Sequence, residues 1–231
     1  AGLLVRPVLR DRLSRPGEGD YQLTWGYLLH FYLPLALTSL INLAAQPIVS
    51  LGLSRGPLPL ESLAVWPVIS GLTFLLRSSG VALQEVAVAL LAQTGSTAVL
   101  RRFTRNLMLA LSALAAAVTL TPLSALWFTR VSGLSPDLVE MARLPAAVLV
   151  AIPALTALTS WLRGLLVHRS RTAAITVATG INITVLLFVV LMGVRVLPWP
   201  GALTAAAALT ASLLAEVGFL QIASRRATEA Q

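Results

Sequence analysis

The sequence contains no cysteine and no lysine, only two histidines, and little charge of either sign. Without cysteine there is no disulfide framework and no thiolate chemistry. His30 and His168 stand far apart in the chain, which excludes most histidine-based metal sites. Charged residues make up 11% of the total, against roughly 25% in soluble domains. No glycine-rich phosphate loop, paired metal-ligand motif or nucleophile motif is present. The reading is therefore neither an enzyme nor a cofactor protein. The net charge of +8 comes entirely from arginine. In a soluble chain that excess would suggest nucleic acid; here no nucleic-acid partner is expected, because of how the apolar residues are arranged.

Those residues make up 57% of the chain, and the mean hydropathy is +0.83. They come in long runs, not in strand-like alternation or half-helical stripes. A bilayer core of about 30 Å takes roughly 20 apolar helical residues to cross. Six segments meet that length: 27–53, 60–92, 103–128, 138–162, 173–197 and 202–222. The fold class expected is an all-α polytopic membrane protein, a six-helix transmembrane bundle embedded in the lipid bilayer. The organisation expected is a cytoplasmic linker or leader over 1–26, the six-helix unit over 27–223 and a cytoplasmic tail over 224–231. The second segment is too long for a straight perpendicular span. It must tilt, break near Pro67, Gly71 or Gly80, or run on beyond the membrane. The first residue is Ala and the opening stretch is polar and charged, so the chain is expected to be a piece of a longer protein.

The arginines sort by side. Arg6, Arg10, Arg12 and Arg15 precede the first segment. Arg101, Arg102 and Arg105 follow the second, Arg163, Arg169 and Arg171 the fourth, and Arg225 and Arg226 the sixth. The opposite loops hold only Arg55, Arg130, Arg143 and Arg195. The positive-inside rule then places both termini in the cytoplasm; arginine without lysine, with many Ala, Leu and Val, points to a GC-rich bacterial genome, so the membrane expected is a bacterial inner membrane. Trp25, Trp127, Trp161 and Trp199 fall at predicted segment ends, as an aromatic belt would.

Polar side chains inside apolar segments are costly and mark cavities or helix contacts. In the second segment Ser70, Thr73, Arg77, Gly80 and Gln84 step by three and four along one helix face. Arg77 lies near its middle, too deep for its guanidinium to snorkel easily to water, and Glu85 is adjacent to Gln84. Thr38, Asn42, Gln46 and Ser50 form a stripe in the first segment, and Thr172, Thr176, Thr179 and Asn182 one in the fifth. Glu216 sits one turn after Ser212 in the sixth. The candidate substrate-binding residues are Arg77, Gln84, Glu85, Asn42, Gln46 and Asn182; the candidate coupling acids are Glu85 and Glu216. Arg77 could instead form a buried ion pair with Glu85 or Glu216, and the hydroxyl stripes could be packing surfaces.

Two stretches carry a resemblance. FYLPLALTSLINLAAQPIVSLGLSR (31–55) resembles the opening helix of a repeat in the multidrug/oligosaccharidyl-lipid/polysaccharide flippase superfamily. WLRGLLVHRSRTAAITVATGINITVLLFVVLMGV (161–194) resembles its fourth-to-fifth helix connection. Within that superfamily the chain is most similar to the C-terminal half of the progressive ankylosis protein family, exporters associated with pyrophosphate, ATP and citrate. That likeness runs through Gln84–Glu85 and through Glu216 with Gly218. The resemblance implies one lobe of a MATE-like, V-shaped transporter or flippase working by alternating access. Together with Arg77 in its polar stripe, it points to an organic anion or anionic lipid-linked compound as substrate and to a second six-helix lobe, a missing N-terminal half or a second copy, as partner. The chain departs from drug-extrusion members in having no acid in its first segment. The competing readings are a non-transport membrane scaffold and proton- or sodium-coupled multidrug extrusion.

Overall fold

In a computed structural model, the residues described are 40, 43–94, 97–169, 171–197 and 199–229. Asn42, His30 and most of the first predicted segment lie outside them. All regular structure among the described residues is helical. Helix α1 covers 43–55, α2 is Pro59–Thr94, and α3 is Thr97–Thr119. A short α4, Leu123–Leu126, continues as a π-turn over Trp127–Val131. Helix α5, Pro136–Val148, leads through a 3-10 turn at Leu149–Ala151 into α6, Ile152–His168. Helices α7, Thr172–Arg195, and α8, Gly201–Glu229, complete the order.

Four stretches are long and apolar enough to cross a membrane: Pro59–Leu91, Pro136–His168, Thr172–Arg195 and Gly201–Arg226. A fifth arises if α3 and Leu123–Val131 count as one broken span. The sequence predicts a single third segment over 103–128; the structure bends this stretch by 70° between Thr119 and Leu123. The cause is Pro122, which has no N–H for the helical ladder and clashes with the preceding turn. Thr121 marks the break: its hydroxyl donates back to the Ala117 carbonyl and accepts from the Leu123 amide. The second segment, by contrast, does not break. Helix α2 runs unbroken for 36 residues, about 54 Å at 1.5 Å per residue, so it must tilt in or project from a bilayer core.

Glycines set the helix approaches. A Cβ on Gly80 would lie 3.0 Å from the Ala157 amide nitrogen and 3.3 Å from the Pro153 carbonyl oxygen. A Cβ on Gly164 would lie 2.8 Å from the Ala87 Cβ. Position 80 thus meets 153–157 and position 87 meets 164, so α2 and α6 run parallel and in near backbone contact. Helix α8 is parallel to α6 as well. Thr210 donates to the Val148 carbonyl at 3.2 Å, and Arg169 donates to the Ser224 carbonyl at 3.2 Å. The ends of α2, α6 and α8 therefore lie on one side of the bundle, as alternating spans require. The C-terminal end of α1 docks on the start of α8, where Gly201 donates to the Pro57 carbonyl.

Three apolar clusters hold the bundle. One joins α2, α3, α6 and α8 around Leu83, Leu91, Leu166 and Leu220. A second, around Ile69, Phe128, Ala142 and Ile152, fills the other end of α2 and α5. A third, around Val49, Leu186 and Val190 with small Ala202, Ala205 and Ala208, joins α1, α7 and α8. Trp161, predicted for an aromatic belt, is buried in the first of these clusters instead. Its helix runs on to His168, six residues past the predicted edge, so Trp161 is interior to the span. Large apolar side chains such as Leu75, Phe188 and Leu214 remain exposed on the outside of the helices, as lipid-facing residues do.

Gly80→Val is expected to destabilise the protein by about 1–3 kcal/mol, because overpacking forces two backbones apart. Gly180→Ala, where an added Cβ meets nothing within 4 Å, is expected to hold or raise stability by up to about 1 kcal/mol. Thermal unfolding in detergent compares them; equal losses would show that Gly80 sets no helix contact.

Candidate functional site

Between the helix pair α2–α6 and the helix pair α7–α8 lies a cavity of about 790 Å³, with α1 contributing Ala45, Gln46 and Val49. That volume falls in the range of small-molecule sites, about 300–1,000 Å³. Its α2 wall is the predicted polar face: Ser70, Thr73, Arg77 and Gln84 all line it. Gly80, on the same stripe, instead sits against the backbone of α6. Glu85 is exposed and does not line the cavity. The physical reason is the 100° turn between neighbouring helix positions, which carries Glu85 away when Gln84 faces inward.

The far wall holds an ion pair that the charge pattern does not reveal. Arg163 Nη2 lies 2.5 Å from Glu216 Oε1. Asn182 Nδ2 donates to the other carboxylate oxygen, Oε2, at 2.9 Å. Arg163 Nη2 also donates to the Thr179 hydroxyl at 3.3 Å, which in turn donates to the Ile175 carbonyl at 3.0 Å. Glu216 is only 2% exposed. It lies about 15 Å along α8 from Arg226 and Asn182 about 15 Å along α7 from Thr172, so the carboxylate and its amide partner are interior to their spans. Sequence reading counts Arg163 among the loop arginines because it follows the predicted segment edge at 162 and precedes Arg169 and Arg171. Helix α6 continues to His168 and turns Arg163 inward. The signal was present: Thr156, Thr159, Ser160 and Arg163 recur at helical spacing, and all four line the cavity.

Arg77 has no such partner. Glu216 is engaged by Arg163 and Asn182, Glu85 faces away, and among the described residues no acid pairs with Arg77. Its Nε is buried without an acceptor. Arg163 Nε and Thr159 Oγ1 are also buried without a hydrogen-bond partner. This is unlike the neighbouring hydroxyls, which donate to their own helix: Thr73 to the Ile69 carbonyl, Ser70 to Pro67 and Ser212 to Leu209. Among the described residues, three of the six buried side-chain atoms without a partner thus belong to residues lining this one cavity. With two guanidiniums against one carboxylate, the lining carries a formal charge of +1. An unpaired buried donor costs about 1–3 kcal/mol, more when charged, and a group that accepts hydrogen bonds from these atoms would recover that cost.

Among the other predicted residues, Gln46 and Asn182 line the cavity, and Asn42 lies outside the described residues. In α7, Thr179 is buried in the Arg163 network, while Thr172 and Thr176 are exposed nearer the helix start.

Glu216→Ala is expected to destabilise the protein by about 3–5 kcal/mol, since it strands a buried guanidinium. Replacing both partners, Arg163→Met with Glu216→Leu, is expected to recover most of that loss. Unfolding midpoints of the three proteins in one detergent check it, and a double variant no more stable than Glu216→Ala would disprove the pairing.

No family model matches the chain, and no curated protein or solved structure is significantly similar to it, so the chemistry of the cavity carries the functional assignment.

Proposed function

We propose that the chain is one lobe of a membrane transporter or flippase that moves an organic anion or an anionic lipid-linked compound by alternating access. The observation that carries this reading is Arg77, a guanidinium in the middle of an apolar span that lines a large cavity and has no acid beside it. A charge kept at that depth is a functional feature by default, because the bilayer makes it expensive. A cationic lining in a low-dielectric setting attracts an anionic guest and disfavours a cation.

The competing scaffold reading treats the polar stripes as packing surfaces. The α2 stripe favours transport, since Ser70, Thr73, Arg77 and Gln84 line open volume and only Gly80 packs against a helix. The ends of α2, α6 and α8 fall on one face of the bundle, and arginines flank each of them: Arg101, Arg102 and Arg105 early in α3, Arg169 and Arg171 just after α6, and Arg225 and Arg226 in α8; this supports a cytoplasmic assignment for that face and for both termini. In this reading 27–53 supplies the first of six spans, the membrane is a bacterial inner membrane, and the lobe resembles half of a MATE-like protein. A second six-helix lobe, from the same polypeptide or a second copy, closes the cavity.

Purified protein in liposomes, with a labelled dicarboxylate such as adipate as the reporter anion, tests the reading. Arg77→Gln is expected to fold and insert normally and to lower saturable flux at least tenfold, whereas Glu85→Gln, outside the cavity, is expected to leave flux unchanged. A folded Arg77→Gln protein with wild-type flux would remove the case for an anion site.

A further inference from the structure

The carboxylate of Glu216 occupies a guanidinium that faces the same cavity as Arg77. The engagement is incomplete. Glu216 meets a single nitrogen of Arg163, Nη2, and the Nε of Arg163 remains buried without an acceptor. A guanidinium binds a carboxylate or phosphate best through two parallel N–H donors, so Arg163 retains a donor that Glu216 does not use. One helical turn earlier, Thr159 offers a second unpartnered atom, its hydroxyl, on a residue 6% exposed. Glu216 for its part keeps another donor when Arg163 lets go, because Asn182 holds its second oxygen. The pair is therefore built from members that each have somewhere else to bond.

We infer that Arg163 is a second anion contact of the cavity, and that Glu216 is an internal carboxylate which an anionic group of the guest displaces from it. The parallel register of α2 and α6, with 80 beside 153–157 and 87 beside 164, separates the backbones of Arg77 and Arg163 by about 14 Å along the bundle. The two cations are thus successive stations at different depths, one open and one occupied from within. Because Glu216 and the guest compete for one guanidinium and repel each other when both are present, Glu216 weakens binding and keeps the empty cavity from holding its guest too tightly. The charge of the lining falls from +2 to +1 by its presence. This inference rests on the reading of the cavity as an anion site.

The test compares two six-carbon acids, adipate with a carboxylate at each end and hexanoate with one, binding to the full chain in lipid nanodiscs by calorimetry. The quantity read is the ratio of the hexanoate Kd to the adipate Kd. Glu216→Gln is expected to raise that ratio at least tenfold, and Arg163→Gln to bring it close to one. If Glu216→Gln does not fold alone, adipate present during purification is expected to rescue it and hexanoate is not; no rescue overturns the inference. A folded Glu216→Gln protein with a wild-type ratio also overturns it. In that case loss of adipate binding in Arg77→Gln would leave the anion-site reading standing. Binding of neither acid by wild type or Glu216→Gln would overturn both.

Discussion

The bond between Arg163 and Glu216 ties three helices together in a place where water cannot. Each charge alone would be costly to bury, by several kcal/mol even after relaxation. Held 2.5 Å apart, and with Asn182 on the second carboxylate oxygen, they bring α6, α7 and α8 to a common point inside the bundle. Apolar packing sets the register along a helix only loosely, whereas this contact fixes it between named atoms. Thr179 extends it by accepting from the guanidinium while donating to its own helix. The position of α8 relative to α6, and of α7 relative to both, follows from that one point together with the Thr210 and Arg169 bonds on either side of it.

The other half of the bundle is organised by the absence of side chains. In a membrane, helices gain little from the hydrophobic effect on meeting one another, and close backbone approach takes its place. Gly80 and Gly164 allow α2 to lie along α6, and the apolar clusters at either end of that contact stop the pair from sliding. The cavity is what remains between this pair and the pair α7–α8. It faces the polar stripes because each helix has only one polar face to turn away from lipid. Of the large apolar residues left exposed, Phe74 on α2 lines the cavity, whereas Leu75 on α2 and Phe188 on α7 do not.

The two arginines of the cavity show how one chemical group acquires two roles. Arg163 has an acid from a distant part of the chain, and its cost is largely met within the fold. Arg77 has none, and its cost is open to be met by something that enters. Opposite charges in fixed proportion would make a structural network; one cation in excess leaves the lining net positive, which is the basis of the proposed anion site.

The membrane class, the helical content and the span boundaries at Thr172–Arg195 and Gly201–Arg226 are legible in the sequence, since run length and hydropathy are local properties that the bilayer imposes. The α2 face carrying Ser70, Thr73, Arg77 and Gln84 was legible for a related reason: helical periodicity alone puts those residues on one side. The direction of Glu85 could have been read from the same 100° step, which separates it from Gln84. The 70° bend at Pro122 lay within reach of local chemistry as well. What tertiary structure decided was partnership. No local pattern tells Glu216 to meet Arg163 and not Arg77, because the choice depends on how far α6 runs past residue 162 and on the depth at which α8 crosses it. Burial of Trp161, the contact of Gly80 with α6 and the volume in front of Arg77 are likewise set by the packing of segments far apart in the chain, where small differences in helix register move a side chain from lipid to cavity to core.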